Sequence, residues 1–319
     1  MSSHSGDSFK VVAYLIIGGG TVLYRGMRRW RSRKDLLDTP ASTLRSAPQG
    51  LAQVTGYALA IAKAFSTLDG RPAAFRRTKI QVYESHGKNS SWVTRLEETE
   101  GARILFSDGT GLAEVDTTDA ELILRERVFN WSSLATKTRE RLLQEYGNRV
   151  TDLRPSSGGW WSNLSRKSVR FVESAIPLGA PVTVRGDFRS PADPLIRVLT
   201  PQTYRFLGRI AEFRNDPAKM RRAFDRNRDG KISEDELYSG SQKIYEGSSG
   251  DVQGEDYAER VRLQGGFKQD PVHRLIIGDA RREGLAARQD WGFAMMVVGV
   301  GLIAVGLGLG TYLVTNPGR

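Results

Sequence analysis

The chain has 319 residues, a formal net charge of +11 and no cysteine. The missing cysteine excludes disulfides, thiolate zinc sites and cysteine nucleophiles, and leaves His4, His86 and His273 as the only imidazoles. So basic a balance points to a polyanionic neighbour, either nucleic acid or the anionic face of a membrane.

After a polar tail (residues 1–8), Phe9 to Tyr24 is apolar apart from Lys10. The stretch is a little shorter than the roughly 20 residues that cross a bilayer. Lys10 and Arg25 can snorkel to the interfaces, and Tyr24 and Trp30 suit the headgroup zone. Basic residues follow, with no small-residue cleavage site, so the sequence predicts a first transmembrane helix over 9–25 rather than a cleaved signal peptide. Residues 26–36 form a basic juxtamembrane segment holding Arg28, Arg29, Arg31, Arg33 and Lys34. Each such residue is worth about 1 kcal/mol near anionic headgroups. With Trp30 as its one aromatic, the run lacks the stacking pattern of a single-strand binder and adjoins the apolar stretch, so nucleic acid ranks below the anionic lipid bilayer as its partner.

Leu51 to Thr55 and Lys79 to Glu84 read as strands, with turns expected at Gly56 and at Gly70-Arg71-Pro72. Arg103 to Phe106, then Asp108-Gly109-Thr110-Gly111, then Leu112 to Val115 is a hairpin pattern. An aspartic-protease loop would need Asp-Thr/Ser-Gly and a second copy, and neither is present. Leu134 to Tyr146 is an amphipathic helix closed by Gly147, followed by a polar loop with Trp160 and Trp161. Ser168 to Ile176 alternates as a strand, with Val169, Phe171 and Ile176 as inward candidates. Gly179 turns the chain into a strand from Pro181 to Gly186. Short strands with glycine turns predict a small β-barrel or sandwich, OB-like.

From Pro201 the pattern becomes helical, and residues 200–246 carry the one strong chemical motif. Asp225 to Glu236 matches the twelve-residue EF-hand loop that holds Ca²⁺ with oxygen ligands. Asp225, Asn227 and Asp229 offer side-chain oxygens at positions 1, 3 and 5, and Gly230 makes the sharp turn at position 6. Lys231 offers its carbonyl, Ser233 acts directly or through water, and Glu236 supplies the bidentate carboxylate. Ile232 is the bridging residue, and Phe224 and Leu237 are placed to pack the flanking helices. No second loop is found: the stretch from Asp251 has Asp256 at its sixth position. A lone loop beside Arg226, Arg228 and Lys231 predicts weak affinity, roughly 10⁻⁵ to 10⁻³ M, unless it pairs in a homodimer or against its host domain.

Residues 247–270 read as a polar, glycine-rich linker, and 271–290 as a last strand (Arg274 to Ile277) and a basic helix. Trp291 to Thr315 is uncharged over a full bilayer width, with Trp291 and Tyr312 as interfacial aromatics. It predicts a second transmembrane helix over 291–315, with Gly306 and Gly310 as a small-residue contact face. The basic residues lie on the inner flanks of both spans, including Arg281, Arg282 and Arg288. The central region is therefore expected in the cytoplasm. The predicted architecture is an α+β membrane protein: a small OB-like domain with a helical EF-hand insert, bracketed by two transmembrane helices.

An ordered series of residues resembles the GIDE-type domain, the membrane-adjacent domain of the mitochondrial ubiquitin ligase family and its prokaryotic relatives. It runs through Asp38-Thr39-Pro40, Arg45-Ser46-Ala47, Gln49-Gly50, Val54 and Gly56. It continues through Gly70-Arg71-Pro72, Trp92, Phe106, the Asp108 turn, Val115-Asp116, Arg170, Glu173, Ile176 and Gly179. The resemblance implies that 37–199 is a GIDE-like β domain and that the EF-hand segment is an insertion. Eukaryotic members end in a RING whose zinc needs paired Cys and His ligands. This chain has none, and Ala73 stands where relatives usually carry cysteine, so ligase activity does not carry over.

Three function classes follow. The first is a membrane-anchored interaction or regulatory protein with an unidentified protein partner, tuned by Ca²⁺. The second is a membrane-associated enzyme of unknown class, although G-x-S-x-G, H-E-x-x-H and P-loop motifs are all missing. The third, a ubiquitin-type ligase, rests on the family name alone.

Overall fold

The computed structural model describes residues 3–61, 64–86, 89–146, 169–191, 195–249, 259–270 and 274–315. Trp160, Trp161, the stretch from Asp251 to Asp256 and His273 lie outside the described residues, as do the side chains of His4 and His86. The chain divides into two units, Met1–Pro40 with Arg282–Arg319, and Ala41–Arg281.

The first unit is helical. Helix α1 runs unbroken over Ser3–Asp38, so neither the expected tail nor the juxtamembrane segment is a separate element. Among the described residues one helical stretch, Arg282–Thr315, is long and apolar enough to cross a bilayer. This corrects the expectation of two spans. The apolar run of α1 from Val11 to Tyr24 is about 21 Å long at 1.5 Å per residue, well short of a hydrocarbon core of roughly 30 Å. After a short α6 (Arg282–Arg288), helix α7 (Trp291–Thr315) reaches about 37 Å on the same measure.

The two helices pack on glycines spaced by sevens. A Cβ at Gly19 would lie 2.9 Å from Gly299 O, and one at Gly26 2.7 Å from Gly292 O. A Cβ at Gly306 would come within 2.9 Å of Ile16 Cγ1, whereas one at Gly310 meets only ordinary contact at 3.5 Å. The expected contact face is thus real at Gly306, and its partner is α1 of the same chain. Arg33 closes the unit on Asp290, Nε to Oδ1 2.6 Å.

The second unit holds a small barrel. Strand β2 (Gly50–Leu59) pairs antiparallel with β6 (Arg103–Ser107), and β6 with β7 (Leu112–Asp116). β7 runs parallel to β14 (Gly265–Lys268). β14 pairs with β11 (Pro181–Arg189), which returns to β2 and closes the ring. Five strands closed with a single parallel pair are consistent with an OB-like barrel. Val54, Phe106, Val115, Val184, Phe188 and Phe267 are fully buried inside it, each contributing about 1.5–3 kcal/mol relative to exposure. β1 (Ala41–Ser42), β15 (Ile276–Gly278) and β8 (Glu121–Ile123) extend the sheet beyond the ring.

A second sheet grows from the barrel connections. It is ordered β3 (Phe65–Ser66), β4 (Pro72–His86), β10 (Val169–Pro177), β9 (Glu126–Asn130), and β5 (Asn89–Glu100) also pairs with β4. Helix α2 (Thr136–Tyr146) covers one face, where Leu142 and Tyr146 meet Ile80, Val169 and Phe171 in a core of their own. The inward assignments hold, with Ile176 in the barrel core instead.

Two expectations fail here. The linker assigned to 247–270 contains β13 (Glu259–Arg262), paired with β12 (Ile196–Leu199), and the barrel strand β14. Gly265 belongs to that strand because a Cβ there would sit 2.4 Å from the Phe188 ring. Gly56 is not a turn but lies inside β2, where a Cβ would strike Ser107 O at 2.3 Å. By contrast, Gly70 and Gly109 do turn the chain, at φ +87° and +80°.

Candidate functional site

The helical insert occupies the connection between β11 and β14. Thr200 caps α3 (Pro201–Asn215), with Pro201 at its first position. Asp216 both ends α3 and caps α4 (Pro217–Phe224), its Oδ1 accepting from Ala218 N and Lys219 N, each at 3.0 Å. The loop from Asp225 to Glu236 then leads into α5 (Glu234–Glu246). Phe224 packs edge-on against Phe213 at 5.5 Å. A Cβ at Gly240 would lie 2.6 Å from the Phe224 ring, so glycine lets α4 and α5 approach closely.

The loop is curled by its own polar side chains. Asp225 Oδ1 accepts from Asp229 N at 3.2 Å, and its Oδ2 from Gly230 N at 2.9 Å. Asn227 Oδ1 accepts from Asp229 N at 3.0 Å, and Asp229 Oδ1 from Lys231 N at 2.8 Å. Gly230 has φ +81° and Arg228 φ +59°, the left-handed conformations that let the chain reverse.

Glu236 ties the two ends of the loop together. Oε1 accepts from Arg226 N at 2.9 Å and Asn227 N at 3.1 Å. Oε2 accepts from Ser233 N at 3.0 Å and Ser233 Oγ at 2.9 Å, completing a capping box with Ser233 at the start of α5. The donors from Ser233, then Asn227 and Arg226, hold its carboxyl below the usual carboxylate range.

All six residues read from the sequence as calcium ligands, Asp225, Asn227, Asp229, Lys231, Ser233 and Glu236, therefore share one closed loop. Their donor set is hard oxygen with three carboxylates, which suits Ca²⁺ better than a softer ion. No three Asp, Glu, His or Cys side chains among the described residues converge as a metal cluster. The carboxylates are instead engaged by the loop's own N–H groups.

Sequence reasoning missed how α5 is fixed to the β structure. Arg125 Nη1 reaches Asp235 Oδ1 at 2.8 Å, and Arg281 N reaches Glu234 Oε2 at 3.0 Å. Arg71 Nη1 bonds Gln242 Oε1 at 2.8 Å. Gly179, at φ +75°, leaves room for Tyr245, whose Cβ would be 2.7 Å from a Cβ there. At the other end, Arg214 Nη1 bonds Asp108 O at 2.9 Å. The Asp108 carboxylate also accepts from Leu44 N, Thr110 N and Thr110 Oγ1, so this carboxylate builds the hairpin. Glu173 entered only through the family resemblance, and its burial was missed too. The signal was the alternation Val169, Phe171, Glu173, which puts a carboxylate on an inward face.

Comparison of the chain with family models, with curated proteins and with solved structures gives no match.

Proposed function

We propose that the chain is a membrane-anchored interaction or regulatory protein whose soluble unit binds Ca²⁺ through Asp225, Asn227, Asp229, Ser233, Glu236 and the carbonyl of Lys231. The observation that carries this reading is Glu236: its carboxylate bridges the first and last turns of the loop through four donors. The residue that must close over an ion is thereby already held across the loop. When bound, the ion supplies positive charge that relieves the repulsion among Asp225, Asp229 and Glu236. Calcium titration of the full chain in detergent micelles, followed by calorimetry, tests the proposal. Saturable heat is expected between about 10⁻⁵ and 10⁻³ M. A flat titration at millimolar calcium would overturn it.

The anchor in this reading is α7, with the basic run of α1 on anionic headgroups and the unit Ala41–Arg281 on the cytoplasmic side. The basic residues at the inner flanks of α1 and α7 support that orientation. A reporter fused after Gly186 should be active in the cytoplasm, and activity on the opposite side would reverse the assignment. The membrane-adjacent role is also what the GIDE-type resemblance implies.

A further inference from the structure

A cleft of about 330 Å³ opens beside α5, lined in part by Arg71, Arg125, Arg127, Glu173, Tyr238 and Asp279. Its size is in the range of small-ligand sites. Glu173 is 1 % exposed. Its Oε1 accepts from Leu68 N at 2.7 Å, while Oε2 has no hydrogen-bond partner. A buried carboxylate oxygen without a donor is costly and calls for one from elsewhere. Burial holds the Glu173 carboxyl above its ordinary range, even with Arg76 and Arg127 nearby.

The arginines have donors to spare. Arg125 spends Nη1 on Asp235 at 2.8 Å, and Arg127 spends Nη1 on Asp69 at 2.6 Å. Arg71 uses Nε on Asp69 and Nη1 on Gln242, each at 2.8 Å. A guanidinium carries five N–H donors, so each keeps others. The remaining acids of the lining are already engaged: Glu126 with Lys79 Nζ at 3.7 Å, and Asp279 Oδ2 with Arg125 N at 3.0 Å.

We propose that this cleft binds a protonated phosphate group, as inorganic phosphate or a phosphomonoester, its bare oxygens on Arg125 and Arg127 and its P–O–H donating to Glu173 Oε2. The reasoning is stoichiometric. Arginines alone would accept any oxyanion. A carboxylate among them admits only an anion that brings its own proton, because a fully deprotonated one leaves two acceptors facing each other. Phosphate near neutral pH carries that proton and sulfate does not. The inference stands apart from the calcium reading and needs no ion in the loop.

The test is calorimetry on the full chain in micelles with a calcium chelator, titrating sodium phosphate and sodium sulfate separately. Phosphate should bind at least about tenfold more tightly than sulfate. Glu173→Gln supplies a donor of its own, so it should weaken phosphate and strengthen sulfate until the preference is gone. Arg127→Gln, at a side chain nearly half exposed, should weaken both anions and keep the preference, which tests the site even if the Glu173 variant does not fold. The same group on a lipid, phosphatidate, is the second source. In nanodiscs, phosphatidate that lowers the apparent phosphate affinity identifies the lipid as occupant, and unchanged affinity identifies a soluble phosphate. No binding of either form, equal binding of sulfate, or a preference that survives Glu173→Gln would overturn the proposal.

Discussion

At the scale of single residues, the two informative carboxylates behave in opposite ways. Glu236 is half-buried and satisfied, and Glu173 is buried yet half orphaned. For the loop, Glu236→Gln should weaken calcium most, because it removes charge and bidentate ligation together. Asn227→Ala removes one neutral oxygen and should cost less. Lys231→Ala, which keeps the carbonyl, should leave affinity unchanged or slightly tighter. Calorimetry of the three variants gives the order, and equal effects would show that the loop does not ligate through these atoms. For Glu173, burial raises the folded pKa above the unfolded value of about 4.3. The folded state then binds more protons, so this group's contribution is full below that value and is lost as pH rises through the raised one. Asp69 has the opposite sign. Burial pushes its carboxyl up, but bonds from Thr67 and Arg127 and the charges of Arg71 and Arg127 hold it below its ordinary range. Its contribution is lost as pH falls. Wild type should therefore lose thermal stability relative to Glu173→Gln as pH rises above about 4.3. Parallel melting curves for the two proteins would contradict this. All six proposed ligands were legible in the sequence because EF-hand ligation is local and fixed in spacing. The burial of Glu173 was not, because it depends on Leu68 and on a second sheet assembled from distant segments.

At the scale of elements, the same contrast between local and distant contacts recurs. Strands β6 and β7 were legible because an Asp-Gly turn joins two apolar runs. β14 was not: its glycines imitate a linker, and only the approach of Phe188 explains them. β5 was missed because its run of Ser, Thr, Arg and Glu serves an exposed sheet edge and carries little apolar alternation. The two helices flanking the Asp225–Glu236 loop also differ in how they are held. α5 is fastened to the β structure by Arg71, Arg125, Arg281 and the Gly179 contact. α4 touches α3 and α5 through Phe224 and starts at the Asp216 joint. An ion that pulls the loop together should therefore move α4 about Asp216 and leave α5 in place. Hydrogen exchange with and without calcium should change over Pro217–Phe224 and stay constant over the second half of Glu234–Glu246. The reverse pattern would make α5 the moving part. Gly179→Ala should destabilise by about 1–3 kcal/mol, since it adds a Cβ at positive φ against Tyr245. A melting temperature equal to wild type would show that α5 yields more readily than its contacts imply.

At the scale of the whole molecule, membrane retention should rest on one helix. α7 is uncharged from Trp291 to Thr315 and long enough to span, and much of its apolar surface is exposed, Val297, Val305 and Leu307 among it. Lipid is the solvent that such a surface suits. The apolar run of α1 is too short alone, and its Gly19 and Gly26 are fitted to the backbone of α7 rather than to lipid. Hydrophobicity made both stretches visible in the sequence. The glycine register was less legible, because the spacing of seven among Gly292, Gly299 and Gly306 acquires meaning only against Gly19 and Gly26 of α1, whereas Gly306 and Gly310 already match a small-residue face within one helix. Deleting Trp291–Thr315 should move the chain from the carbonate-resistant pellet to the supernatant, since α1 then keeps neither partner nor sufficient length. Deleting 3–24 should leave the chain in the pellet. Gly299→Val separates anchoring from pairing: its Cβ would meet Leu23 N at 2.6 Å, backbone that cannot step aside. It should loosen α1 without releasing the protein, read as faster proteolysis after Arg25 to Arg33 in a chain that still pellets. If the Trp291–Thr315 deletion pelleted as well as wild type, α1 would be the anchor and the glycine-packed pair would serve some purpose other than membrane attachment.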